Sequence, residues 1–102
     1  MDKLVNNYPG ALITLSEANN TLEQDLRQAV LVRDILDSTE IEDFLVNPEI
    51  PNDAKNELFR KNFEKKLDDK LMGFLYLMVQ NSRERLIISV LTGFIHQINT
   101  RL

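Results

Sequence analysis

Cysteine is absent from this chain of 102 residues, which excludes disulfides, thiolate metal sites and cysteine nucleophiles together. Tryptophan is absent as well, and histidine occurs once, as His96. A zinc site would have to complete itself with carboxylates around that one imidazole, an uncommon donor set, so no metal is expected. Nucleophilic catalysis needs a base within reach of the nucleophile and a third group to orient it. A lone imidazole among Phe94, Ile95, Gln97 and Ile98 reads instead as a surface side chain. No glycine-rich loop follows a strand, so nothing in the sequence cradles a phosphate. These absences argue against an enzyme and against a bound cofactor.

Basic charge is also in short supply. Sixteen acidic residues against twelve basic ones give a net charge of −4, which argues against a nucleic-acid partner. The longest nearly apolar run, Leu86 to Ile95, is ten residues and contains Ser89, Thr92 and Gly93. A membrane-spanning helix needs about 20, so that run belongs to a core and no direct membrane insertion is expected. Met1-Asp2-Lys3 opens without a basic region leading into an apolar stretch, so no secretory signal is read there and the expected location is the cytoplasm. With 43% hydrophobic and 27% charged residues, the composition is that of one ordinary globular domain spanning residues 1–102.

What remains is helical patterning. No stretch alternates with a period of two, and Val, Ile and Thr never cluster between turn signals as strands require. Leu4, Tyr8, Ala11, Leu12 and Leu15 recur at helical spacing and predict a first helix over about 2–18. Pro9-Gly10 lies inside it, so either a kink or a helix beginning at Pro9 is expected. Thr21 with Gln24 has the spacing of a capping box before a second helix over about 22–36. Its main stripe is read as Leu22, Leu26, Ala29, Val30 and Leu36, with Leu31 and Ile35 on a second face. A short third helix carries Ile41, Phe44 and Leu45 and stops before Asn47-Pro48. Pro51 suits the first position of a fourth helix reaching about Lys66. A fifth is expected over about 67–80, and a sixth from about Arg83 onward with Leu86, Val90, Leu91, Phe94 and Ile98 inward. The fold class is therefore all-α, a six-helix bundle.

The charge is unevenly spread: residues 1–53 carry a net −8 and residues 54–102 a net +4. Arg60, Lys61, Lys65, Lys66 and Lys70 cluster, and with Glu57 and Glu64 interspersed they read as a solvated face. Asp68-Asp69 reads as favourable charge at a helix start rather than as a catalytic pair. The fifth helix stands out. Leu71 to Val79 is nine residues without a charge, and Gly73, Tyr76 and Leu77 lie off the Leu71/Phe74/Leu75/Met78 stripe. Such a helix is either wrapped by neighbours or offers a second face for docking. Tyr8, Ala11, Leu12 and Leu15 leave the first helix similarly short of polar surface. Side by side, the two helices would form a groove suited to an amphipathic partner helix. A self-associating domain using the same apolar face is the alternative.

Several spaced elements resemble a known family: Tyr8-x-x-Ala11-Leu12, Leu22-Glu23, Phe44-Leu45-x-Asn47-Pro48-x-Ile50 before Lys55, and Leu75-x-x-Met78-x-x-Asn81-x-Arg83 ahead of Phe94. Their order is similar to the N-terminal domain of the delta subunit of bacterial F-type ATP synthase, counterpart of the mitochondrial oligomycin-sensitivity-conferring protein. Two positions depart from it. Pro9-Gly10 replaces the alanine usual after the tyrosine, and Ser82 replaces a usual glycine, leaving Asn81 to take the left-handed turn. The resemblance implies a non-catalytic stator component on the cytoplasmic side of the membrane, held peripherally in the complex. It implies that the N-terminal helix of an alpha subunit docks between the first and fifth helices. Tyr8, Ala11, Leu12 and Leu15 would form one wall, and Gly73, Tyr76 and Leu77 the other. Peripheral-stalk b subunits would be met through a C-terminal part absent from this chain.

Overall fold

The computed structural model describes the backbone of residues 3–101 and the side chains of residue 10 and residues 12–100. Among the described residues there are six α-helices and no strand. They are α1 (Lys3–Asn19), α2 (Leu22–Leu36), α3 (Thr39–Val46), α4 (Asn52–Phe63), α5 (Asp69–Gln80) and α6 (Ile87–Arg101), with a 3-10 turn at Glu84–Leu86 ahead of α6.

The centre of the bundle is α6. Its Ile87, Val90, Leu91, Phe94, Ile95 and Ile98 are all buried and recur three and four residues apart, so they form one broad stripe, while Ser89, Thr92 and Asn99 on the opposite side stay exposed. Helices α1 and α2 supply most of that cover. On the other side α5 packs chiefly against α4, whose Phe59 and Phe63 stack with ring centroids 6.5 Å apart. His96 is exposed on α6, as its neighbours suggested.

Several local expectations change. Helix α1 starts by Lys3 and continues through Pro9-Gly10, so it does not begin at Pro9. Thr21 precedes α2 without making a side-chain cap; its hydroxyl donates to Asp25 Oδ2 at 2.8 Å instead, which replaces the expected capping box. The inward stripe of α2 is Asp25, Ala29, Val32 and Leu36, while Leu22, Leu26, Val30, Leu31 and Ile35 are only partly buried around it. Pro51 sits one residue before α4, its carbonyl accepting from the Ala54 and Lys55 N–H groups at 3.1 and 3.3 Å. Helix α4 stops at Phe63 rather than Lys66 because Lys65 takes a left-handed φ of 70°. Helix α5 then begins at Asp69, where Asp68 caps it by accepting from the Leu71 N–H at 2.9 Å.

Two tight corners of one kind set the path of the chain. After α1, Asn20 adopts φ 57°, with Thr21 N–H donating to the Ser16 carbonyl and Asn20 N–H to that of Glu17. After α5 the same pattern recurs at Ser82, φ 57°, with Arg83 N–H on the Met78 carbonyl and Ser82 N–H on that of Val79. Both are Schellman endings. It is Ser82 that takes the left-handed turn; Asn81 stays at φ −93°. Beyond it, the 3-10 turn is pinned to α4 by a buried pair, Lys55 Nζ to Glu84 Oε1 at 3.3 Å.

A serine in the left-handed region carries a steric cost of about 1–2 kcal/mol that glycine avoids. Ser82→Gly is therefore expected to raise the unfolding free energy by about 1 kcal/mol, read as a higher urea midpoint with an unchanged slope. An unchanged or lower midpoint would refute the assignment of strain to this corner.

Candidate partner-binding groove

Helices α1 and α5 approach each other closely enough to enclose a furrow of about 390 Å³. Its floor is Leu12 and Phe74, each 5% exposed, contributed by the inward edges of the two helices. Leu15 on α1 and Leu77 on α5 form the rims, 50% and 39% exposed. Both are large apolar groups left in water by the fold, a condition that marks a contact surface when such groups adjoin one another. Gly73 lies between floor and rim; a methyl group added there would meet nothing within 4 Å. One end of the furrow is polar, formed by Asn19, Asp69 and Lys70.

Four of the seven residues expected at a partner site, Leu12, Leu15, Gly73 and Leu77, thus surround one opening. Leu12 lies at the bottom of it rather than on a wall. Tyr76 is partly buried against the core and is not among the residues around the furrow. The side chains of Tyr8 and Ala11 lie outside the described residues. The uncharged run of α5 is explained by two neighbours at once: Leu71, Phe74, Leu75, Met78 and Val79 face the core, and Gly73 and Leu77 face the furrow.

The polar end hides a feature that the charge pattern did not reveal. Asp25 on α2 is fully buried. Its Oδ2 receives the Ser16 hydroxyl at 2.5 Å, the Thr21 hydroxyl at 2.8 Å and Lys70 Nζ at 2.6 Å. Lys70 also reaches Asp68 Oδ2 at 3.2 Å, and the Asp68 N–H donates to Gln28 Oε1 at 2.9 Å. Lys70 is therefore drawn inward, away from the solvated basic cluster in which the sequence placed it, while Arg60 of that cluster pairs with Glu57 at 2.7 Å. The signal was present: extending the Leu36, Val32, Ala29 stripe back one turn lands on Asp25.

Burial disfavours the charged form of Asp25, but Lys70 and the Ser16 and Thr21 hydroxyls outweigh it and hold the carboxyl below its ordinary value. For Lys70 burial again opposes the charge, and Asp25 and Asp68 overcome it, raising the ammonium above its ordinary value. Among the described residues, no group of three or more His, Asp or Glu side chains could hold a metal ion, and no helix is long and apolar enough to cross a membrane. The arrangement offers an apolar trough with a charged stop at one end.

A profile of the ATP synthase delta (OSCP) subunit family matches residues 4–101. The ATP synthase subunit delta of Clostridium botulinum (strain Loch Maree / Type A3) is 35% identical over 77 residues, covering 74% of this chain and 43% of that protein. That of Synechococcus sp. (strain PCC 6716) is 33% identical over 89 residues, covering 86% of this chain and 48% of that protein. The chain thus spans somewhat less than half the length of these relatives. No solved structure matches the chain significantly.

A carboxylate whose pKa is depressed on folding contributes stability that is present above the unfolded value and lost as pH falls through the folded one. Unfolding free energy should accordingly decline as pH drops below the ordinary aspartate value of 3.8. The raised Lys70 acts in the opposite window, its contribution being lost as pH rises beyond 10.5. Urea titrations across both ranges check this, and Asp25→Asn should flatten the acid limb. An acid limb equally steep in the variant would show that other carboxylates govern it.

Proposed function

The chain belongs to the ATP synthase delta (OSCP) subunit family, and from that premise we propose that it acts as the helical N-terminal domain of such a subunit. Its task is to receive the N-terminal helix of an alpha subunit in the furrow between α1 and α5. The observation that carries this reading is the pair of exposed leucines, Leu15 and Leu77, facing one apolar trough. An amphipathic helix presents anchors three and four residues apart and buries them in a trough of this kind. Gly73 lets the backbone of the guest come close, since no side chain stands between.

In this role the domain performs no chemistry. It is a mechanical link that keeps the catalytic head from turning with the rotor. The remainder of a delta subunit would meet the peripheral-stalk b subunits, which places the assembly peripherally at the cytoplasmic side of the membrane. Burial of apolar area drives the docking, so the affinity depends only mildly on salt.

Two substitutions test the reading against a synthetic peptide of the cognate alpha-subunit N-terminal segment, titrated by calorimetry. Leu77 is a rim residue, so Leu77→Asp should leave the fold intact. Losing one buried leucine should weaken binding by at least about tenfold. Unchanged binding would eliminate this furrow as the site. Gly73→Ala fills open space on a helix, so it should raise thermal stability by about 1 kcal/mol while reducing peptide affinity. A variant that is stabilised yet binds as before would remove Gly73 from the contact.

A further inference from the structure

Helices α1 and α5 form the two walls of the furrow, yet they make little direct backbone contact; α1 is packed chiefly on α6 and α5 on α4. Something else must fix their separation at the open side. The buried carboxylate of Asp25 stands where the end of α1 meets the start of α5. It takes a hydroxyl from Ser16 on α1, a hydroxyl from Thr21 at the corner that follows, and the ammonium of Lys70 on α5. All three converge on the single oxygen Oδ2, so the walls are tied through one atom of a third helix. A second strut from α2, Gln28 Oε1 accepting from the Asp68 N–H, holds the residue that caps α5.

We propose that Asp25 is the positioning residue of the furrow: by tying Ser16 to Lys70 it sets the spacing of α1 and α5 and so holds the trough ready for its guest. This inference rests on the docking function above and adds a residue that cannot touch the guest, since Asp25 is 0% exposed and Leu12, Leu15, Gly73 and Leu77 form the contact surface. Lys70 lines the furrow itself, so its own substitution would mix positioning with contact. Asp25 and Ser16 do not have that ambiguity. The preformed trough matters energetically because a guest that must first draw two helices into register loses affinity to that ordering.

The absence of cysteine allows two spin labels to be placed at will, and the exposed positions Ala18 on α1 and Gln80 on α5 lie outside the furrow lining. In the full chain carrying Ala18→Cys and Gln80→Cys, the label distance distribution should be narrow. It should broaden in Asp25→Asn, which keeps the side-chain shape but removes the charge. It should also broaden in Ser16→Ala, which frees α1 while leaving the Asp25–Lys70 pair intact, so the question stays decidable if Asp25→Asn fails to fold. In both variants the affinity for the alpha-subunit peptide should fall by about tenfold. Lys55→Met is the control for mere destabilisation: it breaks the buried pair with Glu84, neither of which lines the furrow, lowers stability, and should leave the label distance and the affinity as they were. Unaltered distances in Asp25→Asn and Ser16→Ala overturn the inference, as does an affinity loss that Lys55→Met reproduces. Failure of the parent protein to bind the peptide would sink the docking function, while the distance measurement would still decide whether Asp25 spaces the walls.

Discussion

Burial of the broad apolar stripe of α6 is the constraint from which the arrangement follows. A fifteen-residue helix whose six buried apolar side chains make one wide stripe has to be wrapped on that side by more than one neighbour, and the chain is short. Helices α1 and α2 turn their own apolar edges inward to do the wrapping, through Leu12 and Ile13 on one and Ala29, Val32 and Leu36 on the other. Helix α5 reaches the core from the α4 side with five buried residues. Because the core is satisfied by one edge of α1 and one edge of α5, Leu15 and Leu77 beside those edges are left exposed. Leu15 and Leu77 are the remainder of that arithmetic.

The polar network answers a different need. A buried carboxylate without a cation is expensive to desolvate, and a buried pair contributes only if its hydrogen bonds are met. Asp25 meets this with Lys70 and two hydroxyls gathered on Oδ2, although Oδ1 has no hydrogen-bond partner. An apolar residue at the same position would fill the space but would not dictate which residue of α1 lies against which residue of α5. Directionality is what a charged contact adds to a core that is otherwise held by non-directional burial.

The sequence was informative wherever a periodic apolar stripe decided the matter. Six helices, their order, and the inward stripe of α5 follow from spacing alone, as do Val90, Leu91, Phe94 and Ile98 on α6. Leu86 instead falls in the 3-10 turn, only partly buried, and Ile87 and Ile95 take the remaining buried places. The unusual neutrality of Leu71 to Val79 marks α5. It was misleading where two local preferences competed. Pro9 removes one backbone bond but does not stop α1, because the flanking turns supply the rest. Thr21 looked like a cap, yet the nearby carboxylate of Asp25 competes successfully for its hydroxyl. Lys70 belonged by sequence to a solvated cluster, and only the fold brings it beside a buried acid forty-five positions earlier in the chain. Contacts of that range leave no local trace. The left-handed corner fell on Ser82 rather than Asn81 because the Schellman pattern assigns the position by counting from the last turn of α5, and residue preference shifts it little.

Gly73 leaves a shallow dent in an otherwise regular α-helix, with empty space where any other residue would place a carbon. A population of variants sorted only for resistance to unfolding would therefore drift toward alanine at this position, and the dent would disappear without any sign of damage to the domain. Stability screens and consensus redesign applied to this chain are blind to whatever that hollow accommodates.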